Sequence, residues 1–363
     1  MDISSILNSK LFRISSICAF FLLAGTFTSP AFSQEKTSDK QEKKFEPKEV
    51  ILEHIGDSHS WPLMIPFVAE KSLPLPVILY TDKGIEMFSS GKLDAGKVYT
   101  GAHYNYKLDG KKIKAVDASG KIDETASKKV LDFSITRNVA SMFMAIAVLF
   151  VIFLNIASAY KKRIGKAPKG LQSFLEPLIL FVRDDIALPN IGIKYPRFMP
   201  LLLTIFFFIL LNNLLGMVPF FPGGYNLTGN IAVTAVLSII IFFVVNLNGN
   251  KYYWKHIFVP NPWWLFFILI PVEIVGIFTK PIALMIRLFA NITAGHILIL
   301  SLISLIFIFK TIWVSPVSIV FVVFMDTIEL LVAFLQAYIF TLLSALFIGM
   351  AIQEHHTEHS EVL

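Results

Sequence analysis

Long apolar runs alternate with short basic or turn-forming segments over the last two thirds of the chain. The run at 138–159, centred on S-M-F-M-A-I-A-V-L-F-V-I-F-L-N-I, predicts a helix that crosses a bilayer, because about 20 apolar residues suffice. A second span is expected at 198–220 and a third at 231–248, joined by the turn-rich F-P-G-G-Y-N-L-T-G-N (221–230). The stretch 170–188, G-L-Q-S-F-L-E-P-L-I-L-F-V-R-D-D-I-A-L, is too charged to cross and predicts an amphipathic helix lying on a membrane surface. Residues 249–262 read as a loop. Two final apolar regions, 263–309 and 314–352, are each far longer than one crossing needs. Pro271 and Pro281 interrupt the first, but no polar loop does, and nothing breaks the second after Pro316. Two long, tilted helices joined by a short turn at 309–314 are therefore predicted.

The first third reads differently. P-L-P-V-I-L-Y-T-D-K-G-I-E-M-F (74–88) and Y-K-L-D-G-K-K-I-K-A-V-D (106–117) alternate apolar and polar positions around Lys-Gly and Asp-Gly turns, which predicts β-hairpins. The expected architecture is an all-α polytopic membrane protein with five transmembrane helices, a surface helix and a small β-rich N-terminal domain outside the membrane. Residues 1–33 predict a secretory signal peptide: Lys10 and Arg13, then I-C-A-F-F-L-L-A-G-T-F, then Ala31-Phe32-Ser33 as a small-x-small cleavage site. The expected units are this peptide, 34–134 as a charged, disordered leader plus the β-rich domain, 135–352 as the membrane domain, and 353–363 as a polar tail.

Composition sharpens this picture. Of 363 residues 55% are hydrophobic and 34 are Phe, while only 16% are charged, and the mean hydropathy is +0.66. A soluble domain does not look like this. The formal charge of +6 is carried partly by loops: Lys161-Lys162-Arg163, Lys166 and Lys169 follow the first span, and Lys251, Lys255 and His256 follow the third. The positive-inside rule puts these loops and the C-terminus in the cytoplasm, and the N-terminal domain in the periplasm. No basic stripe interleaved with aromatics points to nucleic acid. Cys18, the only cysteine, lies in the signal peptide, so neither a disulfide framework nor a cysteine metal site is expected. H-I-G-D-S-H (54–59) offers His54, Asp57 and His59, but no further ligand follows at metal-site spacing, and a polar turn is the expected reading. The three histidines of the tail read as solvated.

Candidate chemistry lies inside the apolar helices, where an ionisable residue is costly. Glu273, Lys280 and Arg287 recur every seven residues, and Asn291 follows by four, so all four fall near one helical face. His296, nine residues past Arg287, turns to nearly the opposite side. Asp326, Glu329 and Gln336 share a face of the last helix. Asn291 or Gln336 alone could simply join helices. Arg287 is different, because guanidinium keeps its charge at any working pH. It calls for an anionic partner on another helix or another chain, and Glu329 is one candidate. Glu273 and Lys280 on one side, and His296, Glu329 and Asp326 on the other, form two polar half-paths that meet near Arg287 without an open pore. Ion conduction with a barrier is the expected activity. A secondary transporter would show internal repeats and broken helices in matching halves, and neither is visible. A plain membrane anchor leaves Arg287 unexplained.

These residues resemble subunit a of the rotary F-type ATP synthase. R-L-F-A-N-I-T-A-G-H (287–296), P-V-E-I-V-G-I-F-T-K-P-I-A-L-M-I-R (271–287) and L-Q-A-Y-I-F-T-L-L (335–343) are similar to that family's signatures, as are L-L-N-N-L-L-G-M-V-P (210–219) and N-I-A-V-T (230–234). The resemblance covers about 135–352. It implies that Arg287 is the essential charge facing the carboxylates of a c-ring, flanked by Asn291 and Gln336. It places Glu273 in the cytoplasmic half-channel and His296 and Glu329 in the outer one, with the order of acid and imidazole reversed relative to some members. It also implies c-ring and peripheral-stalk b subunits as partners, protons as the ion, no cofactor or metal, and no catalysis by the chain alone. No phosphate-binding G-x-x-x-x-G-K-[ST] is present. The signal peptide and β-rich domain resemble the extended N-termini of some bacterial members and carry no derived role.

Overall fold

The computed structural model describes residues 51, 56–62, 72–93, 98–117, 119–162, 166–218, 221–258, 264, 266–309 and 314–353. The predicted signal peptide and charged leader, His54, Arg163, most of the turn at 309–314 and all but the first residue of the tail lie outside the described residues.

The N-terminal part is β-rich, as the alternation predicts. Strand β1 (Ser60–Pro62) pairs with β2 (Ser72–Pro74); β3 (Pro76–Thr81) lies between β4 (Gly84–Ser89) and β8 (Leu131–Asp132); β6 (Asn105–Asp109) lies between β5 (Tyr99–Thr100) and β7 (Lys112–Val116). All pairings are antiparallel. The two predicted hairpins close one residue away from the expected dipeptides: Asp82-Lys83 and Gly110-Lys111 form the turns. Gly110, at φ 60°, takes the left-handed conformation such a turn demands. Val77, Leu79, Phe88, Tyr106 and Ile113 point inward and form a small core, capped below by a single-turn helix, α1 (Glu124–Ser127).

The chain leaves this domain along the sheet edge. Phe133 N–H donates to the Ile78 carbonyl, and Ile135 N–H to that of Pro76, before Arg137 N–H reaches Ser58 O (2.8 Å). The buried Arg137 guanidinium also donates to Gly56 O. The first long helix, α2 (Arg137–Lys162), starts at that anchor.

Helices α3 (Leu171–Phe181), α4 (Leu188–Ile191) and α5 (Tyr195–Met217) follow. A π-helical stretch, Val182–Ala187, and a 3-10 turn, Gly192–Lys194, join them into one 47-residue helical run. The sequence suggested a break between a surface helix and a span. The backbone does leave helical geometry between them, at Gly192 with φ 73° and ψ −149°; before it Leu175, Val182, Ile186 and Ile191 bury one apolar face in the bundle core, while Arg183 and Asp184 pair at 2.7 Å. Helix α6 (Ile231–Leu247) matches the third expected span. The expected loop after it instead holds a helix, α7 (Lys251–Phe258), bent by 99° from α6. Tyr253 and Ile257, four residues apart, turn inward and give that basic segment an apolar side.

The two last regions form single helices as predicted, α8 (Phe266–Phe309, 44 residues) and α9 (Val314–Ile352, 39 residues). At 1.5 Å per residue α8 is about 66 Å long, against a hydrocarbon core of about 30 Å. The bundle core is built by Leu202, Ile205 and Phe206 of α5, Ile241 of α6, Leu284 and Leu288 of α8, and Ala337, Ala345 and Ile348 of α9. The alanines let α9 come close to its neighbours. Much of α2, α8 and α9 leaves apolar side chains exposed, Phe150, Val275 and Leu331 among them, as lipid-facing helices do. Among the described residues four helical runs are long and apolar enough to cross a membrane, and the bent α6–α7 pair gives a fifth.

In the N-terminal domain His59 Nε2 lies 2.9 Å from Asp132 Oδ2, and Ser134 N–H donates to Asp132 Oδ1. Burial works to raise the Asp132 carboxyl, but the bonds from His59 and Ser134 outweigh it and hold the group below its ordinary value. A lowered folded-state pKa contributes stability above the unfolded value, about 3.9, and loses it as pH falls through the folded value. Melting of the domain, followed by near-ultraviolet circular dichroism of the full chain, is expected to be steady from neutral pH to about 5 and to weaken below about 4. Asp132→Asn should shrink that acid loss; an unchanged acid profile would show that the pair contributes nothing.

Candidate functional site

Helices α8 and α9 pack side by side, and between them stand four of the residues that the sequence singles out: Asn291, His296, Glu329 and Gln336. Asn291 Nδ2 of α8 donates to Gln336 Oε1 of α9 at 3.0 Å. Gln336 is only 2% exposed, so this bond satisfies a buried amide as well as joining the helices. Arg287, one turn before Asn291, is exposed on the outer surface of α8. Asn291, one turn on, is exposed as well, while the other exposed large side chains nearby on α8, Ile282 and Ile286, are apolar. Among the described residues no carboxylate lies within ion-pair distance of its guanidinium. Glu329, a possible partner on sequence grounds, is engaged elsewhere.

Glu329 is 6% exposed, and its Oε1 lies 3.7 Å from Nε2 of His296. The half-turn between Arg287 and His296 thus does what the spacing predicts: the two face different ways, and His296 meets the acid of the other helix. Gly295 makes this possible. A Cβ at that position would sit 3.1 Å from Glu329 Oε1, tight enough to push the carboxylate away. The 3.7 Å gap exceeds hydrogen-bond length, leaving the pair close but not directly bonded. Asp326, expected on the same face as Glu329, is exposed: three residues give only 300° of turn, enough to carry it out of the interface.

A second polar group lies toward the other end of α8. Glu273, 14 residues or about 21 Å before Arg287 along the helix, lies 3.8 Å from His256 Nδ1 of α7. These two and Lys280 line a cavity of about 360 Å³ with Tyr252, Tyr253 and Gln353. Lys280 Nζ lies 5.6 Å from the Phe347 ring of α9, over its face. Pro281 has no N–H to offer the Ile277 carbonyl, and Ile277 also lines the cavity. Glu273 and Lys280 are half-buried while Arg287 is exposed. The difference lies in what covers α8: α7 and the end of α9 cover it around Glu273 and Lys280, and Arg287 lies beyond that cavity.

Sequence reasoning missed two sets of residues. His256 sat in a segment read as a basic loop; the apolar side of K-Y-Y-W-K-H-I-F was the available signal for a helix that could present it. The other set is a buried polar network at the His296 end. Asn213 Nδ2 of α5 donates to Ala333 O of α9 (3.2 Å), and Thr228 Oγ1 donates to Asn213 Oδ1 (2.7 Å). Tyr225 OH donates to Asn212 Oδ1, and Thr293 Oγ1 of α8 to Gly229 O, both at 3.4 Å. Asn226 is buried with neither amide atom hydrogen-bonded among the described residues, the kind of position that holds internal water. Two asparagines in an apolar helix were the visible signal; their partners in the 221–230 segment were not.

The arrangement can therefore hold a fixed positive charge on an exposed apolar surface, with a protonatable acid and imidazole at each of two separated places. Among the described residues no cluster of three His, Cys, Asp or Glu side chains could hold a metal ion.

Comparison with known proteins bears on the family. The family described as ATP synthase A chain matches residues 139–349. A domain of unknown function (DUF8433) matches residues 50–133. Among similar proteins, ATP synthase subunit a of Chloroherpeton thalassium is 50% identical over 236 residues, 63% of this chain and 69% of the relative. ATP synthase subunit a 2 of Prosthecochloris aestuarii is 49% identical over 227 residues, 61% of this chain and 69% of the relative. ATP synthase subunit a of Myxococcus xanthus is 43% identical over 238 residues, 63% of this chain and 77% of the relative. The match spans the helices that carry Arg287, both acid–imidazole pairs and the network around them, and the chain belongs to the ATP synthase A chain family, the F-type subunit a.

Proposed function

We propose that the chain is the stator half of the proton path of a rotary ATP synthase, in a bacterial inner membrane. The carrying observation is Arg287: a permanent charge exposed on a long, largely apolar helix, with only the uncharged Asn291 as a polar neighbour one turn on. Such a residue in hydrocarbon costs about 3 kcal/mol on insertion scales, and an anionic partner on another chain offsets that cost. The carboxylates of a c-ring turning against α8 and α9 supply that partner. The steep inclination that a helix of this length needs in a bilayer lets the α8–α9 pair follow the curved side of such a ring.

In this reading the His296–Glu329 pair takes protons from the periplasmic side and delivers them to a ring carboxylate. Neutral, that carboxyl crosses the lipid at low cost. After nearly a full turn it meets the Glu273 cavity and gives its proton to the cytoplasm, with His256 and Lys280 lining the exit. Arg287 favours that release by stabilising the carboxylate, and its charge repels protons that would run straight between the half-paths. Asn291 and Gln336 fix the helix spacing beside it, and Asp326 lies toward the periplasmic mouth. Residues 1–33 direct export and are removed, 34–134 lie in the periplasm, 135–352 cross the membrane five times, and the tail from 353 is cytoplasmic. Helix α3 with its π-helical extension rests at the cytoplasmic surface, where peripheral-stalk b subunits assemble. The nucleotide chemistry belongs to the rest of the complex, and this chain needs no cofactor.

Two substitutions test the reading. Arg287→Ala is expected to abolish proton-driven ATP synthesis in membrane vesicles while the complex still assembles; synthesis at the wild-type rate would refute it. Gly295→Ala should displace the Glu329 carboxylate by a few tenths of an ångström. ATP-driven proton pumping per assembled complex should then fall on the order of 10-fold, and unaltered pumping would remove Glu329 from the path.

A further inference from the structure

We propose that the β-rich N-terminal domain sets the geometry of the His296–Glu329 pair through Trp61, which acts as a positioning residue for proton uptake. The inference rests on the reading of that pair as the periplasmic half-path. Trp61 is 3% exposed. Its Nε1–H donates to Gly223 O at 3.3 Å, and its ring meets Phe221 and Tyr225 edge-on, at 5.2 and 6.0 Å between centroids. Trp61 and Tyr225 form a core of their own with Leu75 and Leu227, against which Met142 of α2 and Leu215 of α5 also pack. The domain is thus seated on the 221–230 segment as well as on the start of α2.

That segment touches every helix around the pair. Tyr225 bonds Asn212 of α5. Thr228 reaches Ala333 of α9 through Asn213, one turn beyond Glu329. Gly229 O accepts from Thr293 of α8, three residues before His296. The Tyr225 carbonyl also lies against Gly216: a Cβ there would be 2.9 Å from that oxygen and 3.9 Å from His296 Nε2. Backbone of the segment, α5 and His296 therefore form one contact layer. A shift of the segment changes the 3.7 Å separation of His296 and Glu329, and proton transfer is steeply sensitive to such distances. Among the described residues Glu329 faces His296 from α9, with Asp326 one turn earlier. The 221–230 segment adds only the Tyr225 phenol, and α5 adds the uncharged Asn212, Asn213 and Gly216.

The test is passive proton conduction through the assembled complex in F1-stripped membrane vesicles, as a function of pH on the domain side. Trp61→Ala is expected to lower the rate per assembled complex roughly 10-fold and to displace the pH of half-maximal conduction. Trp61→Phe, which keeps ring packing and loses only the bond to Gly223, should restore most of the rate. A wild-type rate and pH profile in Trp61→Ala, with conduction lost in His296→Ala, would overturn the role of Trp61 and leave the path standing. Undiminished conduction in His296→Ala would overturn the path and this role with it. Failure of both Trp61 variants to assemble would assign the residue to folding and also overturn the role.

Discussion

A guanidinium cannot shed its charge, and the rest of the membrane domain is arranged around one that is left facing outward. Asp and Glu in hydrocarbon can take up a proton; Arg287 has no such escape. Glu329, the nearest acid by sequence logic, is turned to His296 instead, across a space that Gly295 keeps open. Among the described residues the positive charge therefore has no carboxylate within ion-pair distance. Paired internally, it would be an ordinary structural ion pair and could not respond to a passing carboxylate.

The two acid–imidazole pairs share a design. In each, the acid and the histidine come from different helices: His296 and Glu329 from α8 and α9, Glu273 and His256 from α8 and α7. Their separations, 3.7 and 3.8 Å, are slightly too long for a direct bond. A tight pair holds its proton and a distant pair cannot pass one. Intermediate spacing suits transfer, and it must be kept by the surrounding packing, since the pair itself supplies little attraction.

How much could be read from the sequence follows from how local each feature is. The long helices α8 and α9 were legible because uninterrupted apolar runs admit no other structure in lipid. The hairpins were legible because turn residues and alternation are adjacent in the chain. Arg287 stood out by its cost, and the opposite facing of His296 followed from counting at 100° per residue. The burial of Val182 and Ile186 in the charged 171–188 stretch was not legible, because it depends on α5 and α9. His256 was hidden in a basic segment whose helix forms only against α8 and α9. The partners of Asn212 and Asn213 come from the 221–230 segment, whose path depends on packing against the N-terminal domain.

That domain joins two parts of the bundle that the membrane helices alone leave loosely connected. Helix α2 touches the core mainly through α5, with Phe153 edge-on to Phe207 at 5.0 Å. The domain grips α2 at Arg137 and the α5–α6 connection at Gly223, forming a bracket across them. A sideways load on α8 or α9 does not stay in those two helices. Part of that load runs through Asn213 and Thr293 into the 221–230 segment, and from there into the bracket and α2. The helices are stiffened from one end of the bundle, where hydrogen bonds and aromatic packing resist shear better than outward-facing apolar side chains can.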